Sequence, residues 1–453
     1  WITLILPLSE AVQADAVLLR RTAKKGYSTV MIEKAELGGT CLNRGCIPTK
    51  SLLQGAELYQ HIQSAHRWGL SAENPMYHMD RMQLRAEEVV TKLREDLRQT
   101  MHRNHVCIKK GRGQIEAPGQ IHISGGQDET VMAGKILIAS GSVPAVPPIP
   151  GVLLPGVMTS NEFLKEKKVY DRLVIIGGGV IGIEFASLYA MLGRQTTILE
   201  AAEKILPGMD KEISQSVRMM LRQRGCRVHT GAFVEKIETS GGGLVCFYKE
   251  NGVSCSTEAD AVLLAVGRRA DTQGLIRENM ILETEKGCIK INGDYETNLP
   301  GIYAAGDVTG GIQLAHKAAA EGENAVCCML GEKAGIYMKT VPSCIYTYPE
   351  IASAGFTEEE ARNAGILKII KKKYPMTGNC RTVIADGGRG FIKVIADGET
   401  GRILGAQIMC LRATDIIGEM TVAINQGMTL GDMSSIIRPH PTFEEGITEA
   451  VRE

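Results

Sequence analysis

The stretch RLVIIGGGVIGIEFASLYAMLGRQTTILE, residues 172–200, decides the fold. An apolar run leads into three consecutive glycines. An apolar segment of helical length follows, and then a second apolar run that ends in Glu200. This order predicts strand, tight turn, helix, strand, with an acid at the end of the second strand. Gly177, Gly179 and Gly182 form a Gly-x-Gly-x-x-Gly pattern. The first glycine permits the tight turn, the second lets the backbone approach a pyrophosphate, and the third lets the helix pack closely on the strand. The helix N-terminus offers free N–H groups and partial positive charge to phosphates. Glu200 is placed to accept hydrogen bonds from a ribose, and its charge would repel a 2′-phosphate, which favours NAD over NADP. A glycine-rich turn with no ligand would account for the glycines but not for the acid one strand later.

Working outward, STVMIE (28–33) reads as another buried strand ending in an acid, Glu33. Residues 47–65 and 80–106 read as helices, the second charged and amphipathic. GKILIASGSVPAVPPIPG (134–151) is a strand running into a proline-rich connection, which is a domain boundary signal. ADAVLLAVGRR (259–269) reads as the strand closing the glycine unit, and GIYAAGDVTGG (301–311) as a strand leading to a helix from about Leu314. From PSCIYTYPEIASAG (342–355) onward the texture becomes alternating strands with two helices. The expected fold is α/β, with two Rossmann-like nucleotide units over 1–145 and 146–268, a central segment, 269–338, and a C-terminal α+β unit, 339–453.

Bulk properties narrow the function. A chain of 453 residues is too long for one core. With 51 basic and 51 acidic residues the formal charge is zero, which offers no electrostatic case for nucleic acid or an anionic membrane. No apolar run reaches the length of a membrane span. WITLILPL (1–8) lacks a basic leader and a small-residue cleavage site, so a strand is expected there rather than a signal peptide. Twelve cysteines without a dense framework point to a reducing, cytoplasmic setting.

Within that setting TCLNRGC (40–46) stands out. Cys41 and Cys46 match neither the spacing of a zinc site nor Cys-x-x-Cys. Five residues of ideal helix rise about 7.5 Å, whereas a disulfide needs its Cα atoms within about 7 Å. The pair can bond only across a distorted first turn, and Gly45 makes that distortion cheap. A strained disulfide is an exchange-competent one.

ELGGTCLNRGCIPTKSLL (36–53) resembles the redox segment of the flavin-dependent pyridine nucleotide-disulfide oxidoreductases, and its flanks favour the family's lipoamide branch. IASGS (138–142), the glycine unit, AVGRR (265–269), GIYAAGDV (301–308), YTYPEIASAG (346–355) and RPHPTFEE (438–445) follow in the family's order. The resemblance runs from about Ala23 to the end. It implies FAD and NAD as cofactors and a Cys41–Cys46 disulfide as the redox centre. It also implies that 1–145 is the first part of an FAD-binding domain completed by the central segment 269–338, that 146–268 is an NAD-binding domain, and that 339–453 is a dimerisation domain. Cys46 would lie against the flavin while Cys41 exchanges with substrate. His440 would act as base on the partner subunit's disulfide, oriented by Glu445, so the active unit would be a homodimer. Lys50 and Glu184 would pair beside the flavin; the bland alternative is a surface ion pair of little worth. Asp307 and Ala315 would hold the flavin, with Glu33, Gly39, Thr40 and Gly113 as further contacts. Gly177, Gly179, Gly182 and Glu200 fall to the NAD site, and Val234 and Gly267 are further cofactor contacts. The implied reaction reoxidises protein-bound dihydrolipoamide with NAD as acceptor. The lipoyl group would come from a separate protein of a 2-oxoacid dehydrogenase or glycine cleavage system. His316 is a helix residue near the flavin, Cys327 and Cys328 are helix core, and Arg438, where relatives often carry histidine, is expected to matter little.

The family's first glycine fingerprint is missing. LPLSEAVQADAVLLRR (6–21) contains no glycine, and Glu10 would place negative charge against the phosphates. Two accounts are open. Synonymous codons allow Ser9 to Asp15 to encode Gly-Gly-Gly-Pro-Gly-Gly in a shifted frame, which would make residues 1–21 a frameshifted reading. Otherwise the stretch is divergent, and the chain is a weak-FAD or flavin-deficient, non-catalytic paralogue. An alternative substrate for the same fold, another disulfide, also stands.

Overall fold

The computed structural model describes residues 2–5, 26–126 and 128–452. The stretch 6–21 on which the missing fingerprint falls therefore lies outside the described residues.

Two five-stranded sheets, parallel throughout, organise the first two-thirds. In the first the spatial order is Ile302–Ala304, Lys135–Ile138, Ile2–Ile5, Thr29–Glu33, Cys107–Lys110. In the second it is Arg227–Thr230, Gln195–Glu200, Arg172–Ile176, Ala261–Leu264, Val157–Thr159. Each strand that carries the nucleotide signal is apolar on both faces, as a sheet covered on both sides requires: Leu173, Val174, Ile175 and Ile176 are all buried. Each sheet also has a three-stranded antiparallel meander, Arg112–Met132 in the first case and Ala232–Ala259 in the second.

The helix Val180–Met191 leaves the glycine turn and is buried on almost every side. It packs against the second sheet and also against the helix Cys46–Gln63 of the first unit. That contact sets the two nucleotide units face to face. The third unit is a five-stranded antiparallel sheet ordered Ser343–Ile345, Glu350–Gly355, Ile403–Cys410, Phe391–Asp397, Ile369–Pro375. Helices Ala413–Gln426 and Glu445–Arg452 cover it around a core that includes Ile392, Ile408, Met420 and Ile447. Buried Lys393 joins this sheet to the second unit, with its ammonium 3.0 Å from Asp210 and 2.8 Å from Glu212.

Three expectations need correction. The strand expected over 259–269 ends at Leu264, because Gly267 takes φ +108° and turns the chain so that Arg268–Ala270 pairs instead with Ser142–Pro144. The C-terminal unit has more than two helices: Glu358–Asn363, Cys380–Ile384 and Leu430–Ser434 are short turns with side-chain caps, too brief to show as a periodic apolar pattern. Cys327 is core, but Cys328 is part-exposed and faces Asp294, so only one of the two cysteines fills the helix interior.

Candidate active site

The cysteine segment is two helices, not one. Gly39–Arg44 ends, Gly45 takes φ −148° and ψ −110°, and Cys46 begins the helix Cys46–Gln63. A Cβ on Gly45 would sit 3.0 Å from the Thr40 carbonyl oxygen and 3.4 Å from Cys41 Cα, so the break needs the bare glycine. The two cysteines are thiols here. A hydrogen bond from Cys41 brings the Cys46 thiol down to about 7, against the upward push of burial, with the Lys50 cation assisting. The shift favours the Cys46 thiolate, which sits at the first position of a helix, where the dipole also favours negative charge.

Lys50 lies one turn along the same helix. Its ammonium is 2.9 and 2.8 Å from the two Glu184 oxygens and 4.7 Å from the centre of the Tyr346 ring. Burial disfavours the Lys50 charge, but Glu184 and Cys46 together more than offset it, and the lysine is held above its ordinary value. Glu184 is buried and also accepts the Tyr346 backbone N–H at 3.1 Å. This pair is not a surface ion pair: it fastens all three units at one point.

A cavity of about 700 Å³ opens on these residues. Its wall includes Thr40, Cys41, Cys46, Lys50, Glu184, Asp307 and Ala315, and on the other side Gly177, Gly179, Glu200, Val234 and Gly267. The dithiol and the glycine turn thus face one space. Gly177 has φ +111°, and a Cβ there would stand 2.3 Å from the Ala265 carbonyl oxygen. Gly179 has nothing within 4 Å of an added Cβ, which leaves its backbone open to a ligand. Gly182 is off the wall; a Cβ would meet the Gly177 oxygen at 2.1 Å, so its work is packing. Glu200 accepts backbone N–H groups of Gly178 at 2.5 Å and Ala202 at 2.7 Å, which aim the carboxylate at the turn.

On the first unit's side, Asp307 is 2% exposed. Ser142 Oγ donates to its Oδ2, and Arg268 Nε donates to Ser142 Oγ at 2.7 Å. Its Oδ1 has no hydrogen-bond partner among the described residues, although it is buried at the cavity wall. A buried carboxylate oxygen without a donor fits a ligand hydroxyl, and a flavin's ribityl chain offers that group. Glu33 is buried at the end of its strand, accepts the Ala35 N–H at 2.6 Å, and is pushed up to about 7 chiefly by burial. Glu33, Gly39 and Gly113 do not line the cavity. Gly113 sits buried in the first meander opposite Ile123. His316 bonds the Pro342 carbonyl at 2.7 Å.

His440 Nδ1 lies 2.8 Å from Glu445 Oε1, and Glu445 Oε2 accepts the Thr442 N–H at 2.9 Å. The Thr442 N–H first, and then His440, keep the Glu445 carboxyl below its ordinary value. This dyad is exposed on the third unit and does not line the same chain's cavity. Arg268 was not singled out by sequence reasoning, although AVGRR contained it. It bridges Ser142 and Thr40 across the cavity wall. Cys344, also unremarked, lines the wall too.

A dithiol with a low-pKa member, a buried lysine–glutamate pair and a dinucleotide turn around one cavity define a pyridine-nucleotide-dependent disulfide oxidoreductase. Comparison with known proteins agrees. The pyridine nucleotide-disulphide oxidoreductase family model matches residues 14–322, and the family's dimerisation domain matches 341–451. The chain belongs to this family, and it is an NAD-dependent flavoprotein oxidoreductase with FAD and NAD as cofactors. It is 35% identical to a dihydrolipoyl dehydrogenase of Bacillus subtilis, over 95% of this chain and 94% of that one. It is 37% identical to one from Thermus scotoductus, over 95% and 93%. Among solved structures, the HOCl-induced flavoprotein disulfide reductase RclA from Escherichia coli matches with TM-score 0.88 and 29% identity, covering 100% of this chain and 99% of that one. Among the described residues, no helix is long and apolar enough to cross a membrane.

Proposed function

We propose that this chain is a dihydrolipoamide dehydrogenase that accepts electrons from a lipoyl-bearing protein of a 2-oxoacid dehydrogenase or glycine cleavage system. The observation that carries this reading is the Cys41–Cys46 pair in one cavity with the NAD turn, with Lys50 and Glu184 beside it. Bound flavin would supply the two-electron step between thiols and nicotinamide, held by Asp307, Ala315 and Thr40 on the cavity wall.

In the oxidised pair, a substrate thiolate attacks Cys41 Sγ. The Cys41–Cys46 bond breaks, and Cys46 leaves as a thiolate, which its low pKa makes favourable. The substrate's second thiolate then displaces Cys41 and closes the lipoyl disulfide, leaving the dithiol that the structure holds. Two protons must leave the substrate. His440 is suited to take one: with Nδ1–H donating to Glu445, Nε2 is the free acceptor, and the other goes to Cys41 Sγ as it leaves. Because the dyad lies off its own chain's cavity, it would serve the partner subunit. The matched dimerisation region supports a homodimer. A cytoplasmic location accords with the reducing setting a dithiol relay needs.

Similarity to RclA supports a second reading, in which the same relay runs from NADH toward another disulfide substrate. Initial rates separate the two. Dihydrolipoamide should drive NAD⁺ reduction, and Cys46→Ser should abolish it. Failure with dihydrolipoamide, together with brisk NADH oxidation by a different disulfide, would replace the first reading by the second.

A further inference from the structure

RPHPTFEE begins with Arg438, and the structure gives that residue a task. Its side chain is 3% exposed, and its donors are used inside the protein. Nε and Nη2 donate to the Glu419 carboxylate on helix Ala413–Gln426, with Nε to Oε2 at 3.4 Å. Nη1 donates to Thr448 Oγ1 at 2.6 Å on the terminal helix Glu445–Arg452, and to the Met433 carbonyl at 3.3 Å on the short helix Leu430–Ser434. One guanidinium therefore ties three helices where the chain departs toward His440. These contacts give the position a structural role.

His440, two residues on, is 66% exposed and is oriented through Glu445. Glu445 opens the terminal helix, and Thr448 lies one turn further along it. Arg438 therefore holds both ends of the dyad's support: the backbone root of His440 and the helix that carries its carboxylate. Lysine has no planar fork and could satisfy only part of this set.

We propose that Arg438 is a positioning residue for His440, fixing the imidazole by clamping the terminal helix to helix Ala413–Gln426. The proposal rests on the reading of His440 as the base for dithiol oxidation. Arg438→Met keeps the apolar stem and removes every donor. In the purified holoenzyme, Arg438→Met should lower kcat for dihydrolipoamide by about 10- to 100-fold, the scale of a catalytic group displaced by about 1 Å. KM for NAD⁺ should stay unchanged, as should the NADH-driven reduction of a dye, which does not use the base. Arg438→Lys should restore part of the loss. In a His440→Gln background, Arg438→Met should cost nothing further, because the two residues act through one group.

Equal losses in dithiol and dye reactions, a full additional loss in the His440→Gln background, or no loss at all would each overturn the proposal. If Arg438→Met does not fold, Arg438→Lys decides by the same split between the two reactions. His440→Gln alone tests the underlying reading: undiminished dihydrolipoamide turnover in that variant sinks the base assignment and the proposal with it. A large loss there with none in Arg438→Met sinks the proposal alone.

Discussion

The two nucleotide units share a plan and differ in one place. Both have a five-stranded parallel sheet, a three-stranded meander and an acid at the end of the second strand of the fingerprint order, Glu33 in one and Glu200 in the other. Both acids accept the N–H two residues on, Ala35 at 2.6 Å and Ala202 at 2.7 Å. Glu200 also accepts Gly178 N–H from the glycine turn. Where the first unit should have its own glycine turn, the sequence has none. Glu33 has one such backbone donor among the described residues, and burial drives it to about 7. The second unit shows the acid and the turn as one device: Gly178 of the turn donates its N–H to the carboxylate proposed to read the ribose.

The comparison breaks most sharply at the first unit's turn. Replacing residues 10–15 by Gly-Gly-Gly-Pro-Gly-Gly should tighten FAD binding by more than about 1,000-fold, because a whole turn of bare glycines, not one residue, lets backbone N–H groups reach a pyrophosphate. Flavin retained through gel filtration, read by visible absorption, measures this. Equal retention by the chain as written would show that the glycines are dispensable here. The coding DNA read afresh separates frameshift from divergence.

The second unit offers the reverse experiment. Gly177→Ala places a methyl 2.3 Å from the Ala265 oxygen in a backbone at φ +111°. NAD affinity should fall by at least about 100-fold, since the turn must rebuild to accept a side chain. Calorimetric titration with NAD reads it, and an unchanged affinity would refute the role of the turn.

Glu200→Ser keeps a hydrogen-bonding group and removes the charge. It should narrow the preference for NAD over NADP by about tenfold, because the carboxylate's repulsion of a 2′-phosphate disappears. Steady-state kinetics with both nucleotides decide. If the preference is undisturbed, selectivity lies elsewhere on the wall.

The smallest effect sharpens the comparison from the other acid. Glu33 has a folded value near 7 and an ordinary value of 4.5, so the folded state binds its proton more tightly. Its contribution to stability is present below about 4.5 and is lost as pH rises to about 7. Glu33→Gln should flatten this part of the stability curve, by on the order of 1 kcal/mol once water entry around the carboxylate is allowed for. Denaturant unfolding from pH 4.5 to 7.5 checks the slope.

Much of this molecule is legible in order along the chain. Apolar runs foretold the strand 29–33 to within a residue and, over 172–200, the order of strand, turn, helix and strand, because a strand covered on both faces must be continuously apolar. Gly45 foretold the broken helix between the cysteines, since spacing and disulfide geometry are local quantities. The meanders and the short capped helices were not legible. Half-exposed strands and five-residue helices leave no periodic signature that outlasts their length.

What the sequence by itself determined is therefore local: the glycine turn, the acid that follows it, the cysteine pair and the break between them. What only the tertiary structure decided is which distant residues share a space. Lys50 and Glu184 stand 134 positions apart and meet because two helices from different units pack together. Arg268 reaches Ser142 and Thr40 because Gly267 ends its strand. Arg438 is the point on which three helices converge. Patterns of turn and strand depend on neighbouring residues, which the sequence writes side by side. Burial and ion pairing depend on which faces meet, and that is set by packing the whole chain at once.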